Sequence, residues 1–318
     1  MALTPIRMHP AYRCGLATPW GGSRLGSVYH KDIPDPRTGE ALELSAIPGL
    51  NSVDDEGTPL SALIDRYGDK LVGTRVKGDF PLLLKLLDAD DALSVQVHPG
   101  DEYARKVEGK FGKTEAWVIL KAEPGAQLIF GVKPGTTTEQ LREASAQGGA
   151  VQALLQRVDV APGDVLYIPS GMVHAIGKGI MLYEIQQSSD VTYRFYDWDR
   201  VDQAGKKREL HLDKALDVVD VTLPAAKAVP QVLSEDATGR RSQLLRNDFF
   251  GLERLENCEG MVLAPTPERF GILTAIEDGV IAWEGGEIPT PAGQTVMLPA
   301  DGVPVRLTGK HFLLSYPQ

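Results

Sequence analysis

The sequence predicts a mainly β protein, in which a barrel with helical insertions is followed by a second, smaller β domain. Residues 93–98 alternate between apolar and polar side chains, a period of two that is typical of a strand with one polar face. Residues 80–89, FPLLLKLLDA, form an almost continuous apolar run, as expected for a strand buried on both faces. A G-x5-P pattern occurs at 161–174 and again at 291–304, and this internal repetition predicts the second domain.

Length and composition are those of a soluble globular protein. The 318 residues, 42% of them hydrophobic and 24% charged, are enough for two domains with buried cores. The net charge of −10 argues against a nucleic-acid partner, since binding to a phosphate backbone needs a basic surface. Cys14 and Cys258 are far apart and lack metal-type spacing, so we expect two reduced thiols. No apolar run suits a membrane span or a signal peptide, which predicts a cytoplasmic protein without membrane contact.

Two potential metal ligands share one face of the predicted strand at 93–98. Gln96 and His98 are two residues apart, so their side chains project to the same side. A second apolar strand, predicted from Thr114 to Leu120, carries Glu115 near its start. Such groups lose solvation worth roughly a few kcal/mol each when they are buried without a partner. A bound cation would remove that cost.

A third candidate ligand follows a predicted turn. Gly163, Pro169, Gly171 and His174 have the spacing G-x5-P-x-G-x2-H. We interpret Val165 to Ile168 as a short strand, the Pro-Ser-Gly that follows as a tight turn, and His174 as the start of a return strand that faces into the barrel.

We therefore predict that Gln96, His98, Glu115 and His174 converge on one metal ion. A single buried histidine is more often a hydrogen-bonded core residue than a ligand, but here two histidines accompany a carboxylate and an amide. This mixed nitrogen and oxygen set suits zinc, and manganese, cobalt or iron could substitute for it.

The spacing around His174 resembles the second motif of the cupin superfamily. The first cupin motif, a His-x-His pair with a nearby Glu, is altered: Gln96 takes the place of the first His, and Glu115 lies seventeen residues beyond His98. This altered set, Q-x-H-P, then G-K-T-E-x-W, then P-x-G-x-x-H-A-I, resembles the short bacterial form of the type I phosphomannose isomerases. The resemblance extends through FPLLLKLLDA and EIQQSSDVTYRFYDWDR and spans most of residues 18–212.

The resemblance implies a jelly-roll-like cupin barrel and a zinc-dependent aldose-ketose isomerase. The implied reaction interconverts D-mannose 6-phosphate and D-fructose 6-phosphate through an enediol(ate). It also implies that Arg194 stabilises negative charge that develops on the sugar oxygens. Glu184, Lys113 and a metal-bound water are the candidates for the general base. The alternative interpretation is that Arg194 pairs with a nearby aspartate at the barrel rim.

Three further residues are expected on the substrate side. Trp20 lies in a Trp-Gly-Gly segment that resembles a substrate-side loop of the family. Ser94 shares the face of Gln96 and can donate to the sugar or to its phosphate. Arg200 follows the last predicted strand and is a candidate to hold the phosphate, although it could also be a solvated surface charge. Since the net charge is −10, a phosphate site has to be locally basic.

The domain prediction places a catalytic, metal-binding cupin domain at 1–228 and a degenerate cupin-like β domain at 229–318. The first contains a helical insertion at about 136–157. In the second, Gly293 and Pro299 match Gly163 and Pro169, whereas Pro304 replaces His174, so we expect no metal there.

Two alternatives from other functional classes remain open at the level of sequence. One is a non-catalytic sugar-binding cupin that uses a metal only for structure. The other is a metal-dependent cupin oxygenase, because one fold hosts many chemistries. The sequence does not indicate an oligomeric state.

Overall fold

The computed structural model describes residues 2–201 and 204–318, and strands dominate it. The first twelve strands are Ile6–Met8 (β1), Ala11–Cys14 (β2), Thr38–Leu44 (β3), Leu82–Ala89 (β4), Val95–Val97 (β5), Glu115–Ala122 (β6), Gln127–Val132 (β7), Leu155–Asp159 (β8), Val165–Ile168 (β9), His174–Ala175 (β10), Ile180–Gln187 (β11) and Tyr193–Tyr196 (β12). The later strands are Gln231–Asp236 (β13), Gly239–Arg246 (β14), Phe250–Leu263 (β15), Gly271–Ala275 (β16), Gly279–Trp283 (β17), Gly286–Thr290 (β18), Thr295–Leu298 (β19) and Val305–Pro317 (β20).

Short helices lie in the connections between strands. The α-helices are Arg24–Tyr29 (α1), Leu60–Tyr67 (α2), Asp69–Val72 (α3), Asp101–Glu108 (α4), Thr138–Ala146 (α5) and Leu212–Val218 (α6), with 3₁₀ helices at Gly15–Ala17 and Gly148–Leu154. None of the helices in the described part of the chain has both the length and the apolar composition needed to cross a membrane.

The strands form three antiparallel sheets. The first has the order β2-β3-β4-β11-β6-β9, and the second has the order β12-β5-β10-β7-β8. The third runs β1-β19-β16-β20-β15-β14-β13, and the hairpin β17-β18 joins it at β20. The mainly β, cupin-type architecture is confirmed, but among the described residues the first two sheets stay open at their edges instead of pairing into a closed barrel.

Strand β4 is buried on both faces, as its apolar run predicted. All eight of its residues are buried. Leu84 and Leu86 pack with the apolar cluster shared with the third sheet, whereas Leu87 and Ala89 pack in the cluster beneath the first sheet. Alternate side chains of this strand therefore enter two different cores.

The predicted helical insertion contains α5 and the 3₁₀ helix that follows it. Thr137 caps α5 in a reciprocal capping box, in which its side chain accepts from the Gln140 N–H and the Gln140 side chain accepts from the Thr137 N–H. The helical part ends earlier than expected, because residues 155–157 already belong to β8, which pairs with β7.

The internal repeat is visible as a repeated strand and turn. β9 and β19 are both four residues long and start two residues after a glycine with positive φ, at Gly163 (φ 92°) and Gly293 (φ 86°). The third sheet also recruits β1 from the N-terminal end, through Ile6 opposite Met297, which the sequence did not indicate. The division into domains at residue 228 stays a prediction.

Candidate metal centre

The predicted ligands come from two sheets that face each other. β5 supplies Gln96, and His98 lies directly after the strand. His174, the first residue of β10, is paired with Gln96 in register. Glu115 begins β6 in the opposite sheet. The Gly171 N–H donates to the His98 carbonyl oxygen at 2.9 Å and ties the turn before β10 to the end of β5.

Three of these side chains converge within metal-binding distance of one another. One potential ligand atom from each of His98, Glu115 and His174 lies within 4.8 Å of the other two, and all three residues are buried. His174 Nε2 is 3.3 Å from Glu115 Oε1, and His98 Nε2 is 3.7 Å from Glu115 Oε2. The side-chain amide nitrogen of Gln96 is 3.2 Å from His174 Nε2. A flip of this amide would turn its oxygen toward the cluster.

Both histidines present an unprotonated nitrogen to the cluster. His98 Nδ1 donates to the Val191 carbonyl oxygen and His174 Nδ1 donates to the Met172 carbonyl oxygen, each at 2.9 Å, so the Nε2 lone pairs are left for a ligand. Burial lowers the pKa of His174 to about 4. Burial, together with the nearby positive charge of Lys113, also lowers the pKa of His98 well below its usual value. Both imidazoles are therefore neutral, as metal ligation requires.

Glu115 is a buried carboxylate that a cation would satisfy. Among the described residues, none donates a hydrogen bond of ordinary geometry to either oxygen, although Lys113 Nζ lies 2.9 Å from Oε2. Burial and the negative charge of Glu184 raise its pKa. Two neutral imidazoles and a carboxylate match the donor set of a divalent metal such as zinc. Lys113 Nζ is also 3.1 Å from His98 Nε2, so a metal ion and this ammonium group compete for the same donor atoms.

A second buried acid, Glu184, lies beside the cluster on the central one of three adjacent strands. Glu184 on β11 is paired in register with Lys85 on β4 and with Trp117 on β6. Its carboxylate accepts from Trp117 Nε1 at 2.9 Å and lies 3.1 Å from Lys85 Nζ. Burial alone would raise the pKa of Glu184, but the charges of Lys85 and Lys113 outweigh it and lower the pKa. Glu184 is therefore ionised.

A cavity of about 280 Å³ opens next to the cluster. Among its lining residues are six that the sequence singled out, namely Trp20, Ser94, Gln96, Lys113, Glu184 and Arg194. Arg194 is paired with Gln96 in register on neighbouring strands, and its Nη1 donates to the Glu209 carbonyl oxygen at 2.9 Å. Larger cavities, of about 340 and 790 Å³, lie elsewhere, but none of the ligand residues lines them.

Comparison with known proteins agrees with this geometry. Residues 12–117 match the family model for the phosphomannose isomerase type I catalytic domain. The chain is 46% identical to a mannose-6-phosphate isomerase of Streptococcus mutans over 68% of each chain, and 40% identical to one of Bacillus subtilis over 87% of each. The chain belongs to the type I phosphomannose isomerase family. A crystal structure of mannose 6-phosphate isomerase from B. subtilis superposes with a TM-score of 0.90, 32% identity and 99% coverage of both chains. The predicted family and enzyme class are confirmed.

Arg200 is the one predicted site residue that the structure places away from both the cavity and the cluster. Its Nη2 donates to the Ala92 carbonyl oxygen at 2.6 Å and lies 3.2 Å from Asp91, and its Nη1 lies 3.4 Å from Asp197. It is absent from the lining of the cavity. These contacts hold Arg200 against the loop that precedes β5.

Three cationic residues that line the cavity were not among the predicted site residues: Arg13, Lys85 and Arg208. For Lys85 a signal existed, because a lysine inside an apolar strand either reaches solvent or serves a polar interior. The structure shows the second case, since Lys85 is 4% exposed and lies near Glu184 and Glu40. Arg13 and Arg208 carry no comparable signal, since they lie in segments without a recognisable motif.

Proposed function

We propose that the protein interconverts D-mannose 6-phosphate and D-fructose 6-phosphate by moving a proton between C1 and C2 through an enediol(ate). The observation that carries this proposal is the arrangement of the buried His98, Glu115 and His174 cluster beside a cationic cavity. Gln96 and Lys113 line that cavity and also contact the cluster. Membership of the type I phosphomannose isomerase family and the names of the relatives support the choice of substrate.

In this proposal Gln96, His98, Glu115 and His174 hold one divalent metal ion, with zinc as the native metal. When bound, such an ion supplies a Lewis acid for the sugar oxygens. The protein's contribution is to hold both imidazoles neutral and correctly oriented through their Nδ1–H bonds to backbone carbonyls. The buried carboxylate of Glu115 balances part of the positive charge.

Proton transfer falls to Glu184 or Lys113, which line the cavity on the side of the first sheet. Glu184 is ionised and fixed by Trp117 and Lys85, so it can accept a proton without first losing one. Lys113 is an ammonium donor held by Glu115, so it can protonate a sugar oxygen. Arg194 lies next to Gln96, where its guanidinium stabilises the negative charge of the enediolate. Trp20 and Ser94 also line the cavity and are available to contact the sugar.

The test is incubation of the purified protein with each sugar phosphate, with and without a chelator. We expect conversion in both directions, loss of activity after metal removal, recovery with about one zinc per chain, and the same rate without oxygen. Binding without turnover would favour a sugar-binding protein, and a requirement for oxygen would favour an oxygenase. Full activity after verified metal removal would contradict the metal-dependent mechanism.

A further inference from the structure

The cavity is basic although the whole chain is strongly acidic. Its lining contains five cationic side chains, Arg13, Lys85, Lys113, Arg194 and Arg208, against three carboxylates, whereas the chain carries a net charge of −10. A sugar phosphate therefore finds locally the positive charge that the protein as a whole does not offer.

Most of these cations are already engaged by carboxylates inside the cavity wall. Lys113 lies 2.9 Å from Glu115, and Lys85 lies 3.1 Å from Glu184. Arg13 is 3.4 Å from Glu40. The two lysine pairs include the proposed ligand Glu115 and the neighbouring acid Glu184, so they belong to the reacting end of the cavity. Glu40 joins the third pair to them, since it lies 3.7 Å from Lys85.

Arg208 differs because its carboxylate partner holds it through two short hydrogen bonds, whereas Arg13 meets Glu40 through one nitrogen at 3.4 Å. Its Nε and Nη2 each donate to one oxygen of Asp197 at 2.6 Å, and Asp197 is only 5% exposed. In the part of the chain that the structure describes, no partner is found for its third nitrogen, Nη1. A guanidinium fixed on one edge is preorganised to bind an anion on another.

Arg194 is near both Arg208 and the strand that carries the proposed ligand Gln96. Its strand position is next to Gln96, and burial and the neighbouring charge of Arg208 both lower its pKa. Within residues 2–201 and 204–318, no contact joins Arg208 to Gln96, His98, Glu115 or His174. Since the phosphate of a 6-phosphate sugar lies at the opposite end of the carbon chain from C1 and C2, it belongs at the Arg208 end.

We propose that Arg208, held in place by Asp197, binds the phosphate group of the substrate and sets the preference for phosphorylated over free sugar. The inference rests on the proposed function for the identity of the substrate. We thereby assign to Arg208 the phosphate-binding role that the sequence suggested for Arg200, eight positions earlier in the chain.

The test is steady-state kinetics of Arg208→Gln, with inorganic phosphate as a competitive inhibitor. We expect KM for mannose 6-phosphate and Ki for phosphate to rise together by about 10- to 100-fold, as for loss of a hydrogen-bonded ion contact. We expect kcat to stay within about threefold of wild type and metal content to be unchanged, because the reacting end is intact. Turnover of unphosphorylated mannose should not change.

Two further variants make the outcome specific. Lys207→Gln removes a positive charge from the same loop, but Lys207 is 62% exposed, pairs with Asp199 and does not line the cavity, so KM and Ki should stay at wild-type values. Because Arg208→Lys keeps a positive charge beside Asp197, we expect this variant to fold even if Arg208→Gln does not. It loses the two-pronged geometry, so we expect a smaller rise in KM and Ki than for the glutamine variant.

Several results would overturn the proposal. A fall in kcat with unchanged KM and Ki in Arg208→Gln places the residue at the reacting end, and a rise in KM for Arg200→Gln alone returns the phosphate to Arg200. If Lys207→Gln raises KM and Ki by the same factors, the effect of Arg208→Gln is explained by the loss of a positive charge and not by a specific phosphate site. If the protein turns over no sugar phosphate, calorimetric titration with inorganic phosphate still decides the question, since only loss of binding in Arg208→Gln supports the site.

Discussion

At the scale of single residues, the energetic cost of a buried charged side chain depends on its partners on other strands. Lys85 and Glu184 are both nearly inaccessible, and each would be costly alone, but they face each other across adjacent strands at 3.1 Å. In the part of the chain that the structure describes, no hydrogen bond of ordinary geometry reaches the oxygens of Glu115, so a bound cation would stabilise its carboxylate.

Arg194→Ala tests the residue proposed to stabilise the transition state. The enediolate carries a negative charge that the sugar in its ground state lacks, so loss of the guanidinium should lower kcat by about 10²-fold or more. Metal content should stay at the wild-type level, because arginine is not a ligand. Steady-state kinetics beside metal analysis checks both points, and an unchanged kcat would show that the residue was chosen wrongly.

Glu115→Gln tests the metal site through the metal content of the protein instead of its activity. The substitution keeps the shape of the side chain but removes the anionic ligand, so we expect metal content after dialysis to fall well below one ion per chain. Glu184→Gln is the matched control, since it neutralises a neighbouring buried acid outside the cluster and should keep its metal. The reverse pattern in elemental analysis would assign the ion to Glu184.

At the scale of elements, the turn between β9 and β10 aims His174 at the cluster. Gly171 has a φ of 88°, and a Cβ added there would lie 3.1 Å from the Val218 carbonyl oxygen. Its N–H also holds the end of β5 at His98. One glycine therefore links the positions of two proposed ligands.

Gly171→Ala should both destabilise the fold and weaken metal binding. A non-glycine residue with this backbone conformation costs roughly 1–2 kcal/mol, and the contact near Val218 shifts the turn that carries His174. Gly125→Ala is the control, since Gly125 also has a positive φ (78°) but has open space around the added Cβ. Chemical denaturation should show a loss of stability in both variants, whereas metal titration should show weaker binding only in Gly171→Ala. Equal metal affinities in the two variants would show that the conformation of the turn at Gly171 does not affect metal binding.

At the scale of the whole molecule, one apolar cluster joins the first and third sheets. It contains Leu84 and Ile185 together with Leu252 and Leu313 from the other side of the predicted boundary at residue 228. A buried hydrogen bond of 2.7 Å between the Tyr183 hydroxyl and Ser315 Oγ crosses the same contact. A shared core of this kind makes independent unfolding of the two parts unfavourable.

We therefore expect a single cooperative thermal transition, and Leu307→Ala is the sharpest test. Leu307 is fully buried in a cluster formed only by the third sheet, whereas Leu313 is fully buried in the shared cluster. Each substitution should cost about 2–5 kcal/mol and lower one common midpoint. Calorimetry that shows two transitions, with Leu307→Ala lowering only one of them, would support separate folding of residues 229–318.

The sequence by itself determined the parts of the site that depend on local geometry. Alternation along residues 93–98 predicted the shared direction of Gln96 and His98, and the Pro-Ser-Gly turn predicted the start of the return strand at His174. These predictions succeeded because strand period and turn conformation depend on residues that are neighbours in the chain.

The tertiary structure alone decided which charges meet in the cavity. Arg200 and Arg208 both contact Asp197, but of these two only Arg208 lines the cavity. No local pattern separates two arginines in one loop. Their roles depend on contacts with Asp91, Ala92 and Arg194, which become neighbours only when distant strands pack, and a side chain's electrostatic environment is set by such neighbours in space.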